Sequence, residues 1–367
     1  MIELAGREHD WTTYDSLSVL AHRAFGGSST LPVSSRIVRA AAEGDGPALS
    51  RLIPEAGRAP DGGLVFELVA SAENPRVSRT VAESMLSRTK DPGRRMWLES
   101  ALGATELAAG RWRAGARALE RARDDAAHAG LAFERERILW TTAACAALPS
   151  LPVPPADVAA MRDEIARWDP NLPPPNSPPN PYLPLRVHLR LYLLGVLDAR
   201  LGAYDSAARH ATALEQLPST MENRATTDLL ARVLRASIAE QRGEHARALE
   251  LLEHTRGQLA MKLSGIRFVD IHAHWLRAEA LRALHRDAEA IRWFHTLTQG
   301  EEYGGAPALA LMGPSLFRQA ELHERGGDME TARRLYTRFA DLWADADPDA
   351  RPLVRSAAQR AGVSRDR

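Results

Sequence analysis

Four stretches of the C-terminal half decide the fold: GVLDARLGAYDSAARHA from Gly195, ASIAEQRGEHARALELL from Ala236, AEALRALHRDAEAIRWF from Ala278 and AELHERGGDMETARRLY from Ala320. Each opens with a small residue, reaches a turn seven positions on (Gly202, Gly243, His285, Gly327) and carries alanine five positions later still (Ala207, Ala248, Ala290, Ala332). The register advances by 41, 42 and 42 residues. A fixed period of this size marks a repeat architecture. Small residues on both sides of a turn fit two antiparallel helices that cross closely, where a larger side chain would hold the backbones apart. Glycine at the turn accepts the positive φ that a tight helical reversal requires. Leu252, Phe294 and Tyr336, one turn beyond the second alanine, fill the space between neighbouring hairpins. One hairpin cannot bury its own apolar face, so such units are expected to stack.

Upstream, WLESALGATELAAGRWRAGARALERA repeats the skeleton with Gly103, Gly110, Gly115 and Ala122. The small-residue pattern resembles the tetratricopeptide repeat over about residues 95–127 and 185–345. The period is longer than that family's usual one of about 34 residues, and His285 replaces a turn glycine. The resemblance implies an all-α fold, a right-handed superhelical solenoid of antiparallel hairpins. The ending ELHERGGDMETARRLYTRFADLWADADPDARPLV is similar to the last repeat and cap of bacterial arrays linked to kinases or transcriptional activators. No kinase glycine loop, HRD or DFG triplet occurs, so an array without its effector, or a fragment of a longer protein, is expected.

Composition excludes much else. Forty-seven basic residues balance forty-seven acidic ones, leaving no surplus field to collect nucleic-acid phosphate. No apolar run is long enough to span a bilayer, and the opening MIELAGREHDW lacks the form of a secretion signal. A cytoplasmic protein is therefore expected. The single cysteine, Cys145, excludes an intramolecular disulfide, and with no histidine partner or nucleophile signature it reads as buried and inert.

Five regions follow from the pattern. Residues 1–94 read as degenerate helical hairpins, with helices over Tyr14–Phe25, Ser35–Glu43, Leu64–Ala72 and Arg76–Arg88. Residues 95–146 hold the upstream hairpin and a further helix over 131–146. Residues 147–184 are proline-rich, with one isolated helix in ADVAAMRDEIARW, and read as an insertion lying across the stack; a polyproline II ligand is the functional alternative. Residues 185–345 hold the four repeats, the second of which has a capping-box spacing at Ser219–Glu222. Residues 346–367 give a capping helix and tail.

The sequence carries no recognisable catalytic or metal-binding pattern. His272 and His274 lie two apart, which on a helix turns the rings away from one another. His188, His210, His245, His254 and His295 occur singly. Asp124–Asp125, Glu301–Glu302 and the series Asp345, Asp347, Asp349 fall at helix ends or turns, where acidic residues are solvated and favour helix N-termini. No P-loop, Rossmann or nucleophile-elbow motif occurs. No enzyme activity, cofactor or metal is expected.

The leading expectation is a scaffold that binds a peptide or extended protein segment on its concave face. A regulatory sensor array and an enzyme with an unrecognised pocket are the rivals. Carrying the family's groove positions onto this register implies Tyr192, Val196, Ala199 and Arg200, then Val233, Ser237, Glu240 and Gln241. The last two hairpins contribute Trp275, Glu279, Arg282 and Ala283, and Phe317, Glu321, Glu324 and Arg325. The nine strongest candidates are Tyr192, Arg200, Glu240, Trp275, Glu279, Arg282, Phe317, Glu321 and Arg325. The competing expectation for Tyr192, Trp275 and Phe317 is packing between hairpins.

Overall fold

In a computed structural model, which describes residues 10–24, 32–43, 45–56, 75–172, 182–253, 261–298 and 305–362, the protein is all-α. Among these residues there are seventeen α-helices and no strand. The first four are α1 (Trp11–Ala24), α2 (Val33–Glu43), α3 (Gly46–Ala56) and α4 (Pro75–Leu86). Then come α5 (Pro92–Ala108), α6 (Trp112–His128), α7 (Ala132–Ala146), α8 (Pro155–Arg167), α9 (Arg186–Arg200) and α10 (Tyr204–Gln216). The remainder are α11 (Arg224–Gln241), α12 (His245–Glu253), α13 (Phe268–Ala283), α14 (Asp287–Thr298), α15 (Gly305–Arg325), α16 (Met329–Leu342) and α17 (Arg351–Ala361). No described helix is long and apolar enough to cross a membrane.

The turn chemistry works as the sequence demands. Gly110, Gly202, Gly243 and Gly327 all take φ between 71° and 83°, and His285 takes φ 58° in the same place. In each turn the next amide reaches back to a carbonyl of the first helix, as in Ala203 N to Asp198 O at 2.8 Å and Arg286 N to Leu281 O at 2.9 Å. This is the left-handed helix stop that satisfies carbonyls otherwise without partners. Four helix starts have side-chain caps: Asp10 accepts from Thr13 N at 3.1 Å, Asp45 from Ala48 N at 2.9 Å, Asp91 from Arg94 N at 2.7 Å and Asp328 from Thr331 N at 3.1 Å. The capping box at Ser219 does not form. Helix α11 begins at Arg224 behind an Asn223 that caps nothing, and the Ser219 hydroxyl turns to Thr220 O.

The small-residue skeleton is buried to completion: Ala207, Ala236, Ala248, Ala278, Ala290, Ala320 and Ala332 expose nothing. Helices pair as α5/α6, α9/α10, α11/α12, α13/α14 and α15/α16, and each of the last three pairs also packs against the one before it. The first helices touch in sequence, α9 on α11, α11 on α13 and α13 on α15. One core runs from Met96 to Ala358. A smaller one joins Ile37, Leu49, Val81 and Met85 to the other side of α5 and α6 through Leu98, Leu102 and Ala118.

Three features depart from the sequence reading. Helix α3 lies where none was expected, with Pro54 inside it. Helix α8 is not isolated: it packs on α7 and α9 and buries Val158 and Ile165. Helix α15 also packs on α5 and α7, so the last repeat meets the upstream hairpin directly. Helix α7 therefore lies at the centre, and Ile138–Ala146 is buried apart from Thr141. A helix that is apolar on all sides belongs there. The expected helix over 64–72 and the proline run 173–181 lie outside the described residues.

Candidate interaction surface

The C-terminal ends of α11, α13 and α15 carry a row of alternating charge. Glu240 and Arg282 occupy equivalent places in successive repeats, as do Glu279 and Glu321. Arg282 Nη2 lies 2.7 Å from Glu279 Oε2. Arg318 bridges two repeats, its Nε donating to Glu279 Oε1 at 2.8 Å and its Nη1 to Glu321 Oε2 at 2.7 Å. Arg360 of α17 extends the row, 3.7 Å from Glu321 and 3.3 Å from Glu324. At the other end His245 Nδ1 meets Glu240 Oε2 at 2.9 Å. Burial pushes the Glu240 carboxyl above its ordinary range, against the pull of His245. Burial alone would lower Arg318, but Glu279 and Glu321 hold its pKa above the ordinary value. Long side chains in such a fork geometry are pre-ordered for a planar carboxylate.

The nine candidate positions divide between this row and the interior. Glu240, Glu279, Arg282 and Glu321 come together in the row. Tyr192, Trp275 and Phe317 do not face solvent. They are 0%, 3% and 5% exposed, and each has aromatic neighbours: Phe268 and His272 for Tyr192, Phe294 for Trp275, Tyr336 and Phe339 for Phe317. The packing expectation is the one these three positions follow. Arg325 pairs with Asp287 of the preceding hairpin's second helix. Arg200 stands apart, its Nη2 donating to Leu151 O at 3.3 Å, and burial lowers its pKa. Arg318 and Arg360 were missed. A signal existed for Arg318, since the equivalent places in the preceding repeats are Leu193, Leu234 and Leu276. An arginine where the register wants leucine marks a helix face that has turned polar.

The centre holds a buried polar chain. Tyr192 Oη donates to His272 Nδ1 at 2.8 Å, and His272 Nε2 lies 3.1 Å from Ala144 O. A carbonyl only accepts, so Nε2 carries the proton and Nδ1 receives the phenol hydrogen. Burial brings the His272 pKa down to about 4, although the Ala144 bond works the other way. These two bonds link α7, α9 and α13.

Three other places hold groups that could be reactive. Asp198 accepts from Ser206 Oγ at 2.6 Å and from Arg162 Nε at 3.0 Å, with His210 Nε2 at 3.3 Å. Burial would raise its pKa, but these three partners outweigh that and hold it at about 2. Serine and histidine both spend their polar atoms on one carboxylate, so no base is in place to activate the hydroxyl. Cys145 is wholly buried and desolvation raises its thiol pKa, which removes the thiolate needed for reactivity. In a cleft of about 750 Å³ among α12, α13 and α14, which Glu253 also lines, Arg286 pairs with Glu289 at 2.8 Å and Arg277 engages Leu252 O and the Trp293 ring. Among the described residues no three metal-ligating side chains converge. Comparison with known proteins finds no family model and no curated protein that matches the chain.

Proposed function

We propose that this protein is a cytoplasmic interaction scaffold built from tetratricopeptide-like hairpins in a right-handed superhelical stack, and that it binds an extended protein segment of mixed charge. The observation that carries this reading is the row from Glu240 through Glu279, Arg282, Arg318 and Glu321. Alternating charge repeated on successive first helices offers an extended chain one pairing site per repeat. With Tyr192, Trp275 and Phe317 buried, aromatic anchoring inside a groove is not part of the reading. Recognition falls to side chains at the rim, where electrostatic complementarity sets specificity and on-rate more than raw affinity.

The test is selection of binders from a displayed library of random peptides against the full chain. Selected peptides should carry both signs of charge and should bind an Arg282→Ala/Arg318→Ala variant more weakly than the parent. Peptides that bind both proteins equally would move the site off this row.

A further inference from the structure

The connection between α16 and α17 grips the first complete hairpin by its tip. Trp343 lays its indole between Gly110 and Gly313; a Cβ on Gly110 would stand 2.6 Å from the ring, and one on Gly313 would meet it more closely still. Its Nε1 donates to Ala108 O at 2.9 Å. Ala108 is the last residue of α5, so its carbonyl has no helical partner of its own. Asp345 forms a two-pronged pair with Arg76, at 2.9 and 3.0 Å. Asp347 donates its amide to Gly110 O at 3.1 Å, and its carboxylate accepts the Arg113 amide at 3.0 Å. Helix α6 starts at Trp112 behind Arg111, which supplies no capping side chain. Asp347 thus supplies, from 234 residues away in sequence, the capping carboxylate that Arg111 does not. Asp349 completes the set at 3.3 Å from Arg113.

These contacts have the character of linear-motif recognition. Elsewhere hairpins meet through helical faces of alanine and leucine. Here one stretch of turn leading into a short 3-10 helix (Pro348–Ala350) is read at alternate residues, by backbone groups at the hairpin tip and by two arginines. The acidic series was expected to be solvated; each member instead has a partner on or beside the α5–α6 hairpin. The outer pairs are weak, because Arg76 and Asp345 are 67% and 41% exposed and Arg113 and Asp349 are 51% and 57% exposed. The grip therefore rests on Trp343 and Asp347.

We propose that the tip of the α5–α6 hairpin is a docking site for a tryptophan-led acidic segment of the pattern Trp-x-Asp-x-Asp, filled in cis by residues 343–349. A segment of the same pattern on a partner protein takes the site when the cis segment lets go. The site and the charged row share no residue, and neither reading depends on the other.

The probe is a labelled peptide with the sequence of residues 341–351, DLWADADPDAR, titrated into the full-length parent and into a full-length Trp343→Ala variant. The variant should bind it saturably at one site, with the parent at least about tenfold weaker because its seat is filled. Peptides carrying Trp343→Ala or Asp347→Asn should also lose about tenfold or more. The proposal is overturned by a variant that keeps the parent's helical spectrum and binds no peptide, by equal binding to both proteins, or by equal binding of all three peptides. If Trp343→Ala does not fold, hydrogen exchange on the parent decides. Excess peptide should speed exchange at the Asp347 amide, and an unchanged rate overturns the proposal.

Discussion

Lowering the pH should loosen this fold through His272. The ring is buried with both nitrogens engaged, Nδ1 accepting from Tyr192 and Nε2 donating to Ala144. A second proton has nowhere to go without breaking the Tyr192 bond. The folded-state pKa is down from 6.5 to about 4, so between those values only the unfolded chain takes up the proton. The stabilisation is complete above pH 6.5 and is lost progressively as pH falls toward 4. At about 1.4 kcal/mol per unit, a gap of this size is worth on the order of 2–3 kcal/mol near pH 4.5. Urea unfolding of the parent and of His272→Gln, each followed from neutral pH to about pH 4.5, isolates the contribution. Glutamine can still donate to Ala144 and accept from Tyr192 but cannot titrate. His274, whose pKa is also held at about 4 by burial and by Arg277 and Arg267, is present in both proteins and cancels. The variant should lose less stability on acidification than the parent by that 2–3 kcal/mol margin. Parallel pH profiles would refute a neutral, buried His272.

Three further outcomes concern stability. Ala290→Leu should cost on the order of 1–3 kcal/mol in a thermal or urea melt, because Ala290 is fully buried at a helix crossing with no room for two more branches. His285→Gly should stabilise by about 0.5–1 kcal/mol, since His285 holds φ 58° where the other repeats use glycine. Arg186→Met should destabilise by about 3–5 kcal/mol: Arg186 is 3% exposed, pairs with Glu136, donates to Leu172 O at 2.7 Å and so ties together the two sides of the proline-rich segment. A melt indistinguishable from the parent in any of the three would remove the corresponding contact from the account.

What the sequence made legible was local. Small residues at fixed offsets announce a hairpin because the crossing and the turn lie within seventeen residues of one another, and Ala207, Ala248, Ala290 and Ala332 are buried accordingly. The alternating Glu240, Glu279, Arg282 and Glu321 were legible for the same reason. Long-range packing was not. Tyr192 could be assigned to a helix face, but that α13 would cover that face depends on His272, eighty residues on. Asp347 reads as a solvated turn residue until Arg113 is beside it. Helix α3 was hidden by Gly46–Pro47 and Pro54, residues that ordinarily break helices, although a proline in the first turn is tolerated. Helix α8 has only two buried residues, Val158 and Ile165, too few for its apolar stripe to declare a partner.

The central claim is that binding is set by the charged row at the ends of α11, α13 and α15. It is tested most directly by charge reversal. A peptide chosen for binding the full chain is titrated against the parent, against Arg318→Glu and against Arg200→Glu, at low and at raised salt. The account predicts that Arg318→Glu weakens binding by about tenfold or more, that exchanging the peptide's paired carboxylate for lysine restores part of it, and that the effect shrinks as salt rises. Arg200→Glu, away from the row, should bind as the parent does. Full affinity in Arg318→Glu, or loss in Arg200→Glu alone, would contradict the claim.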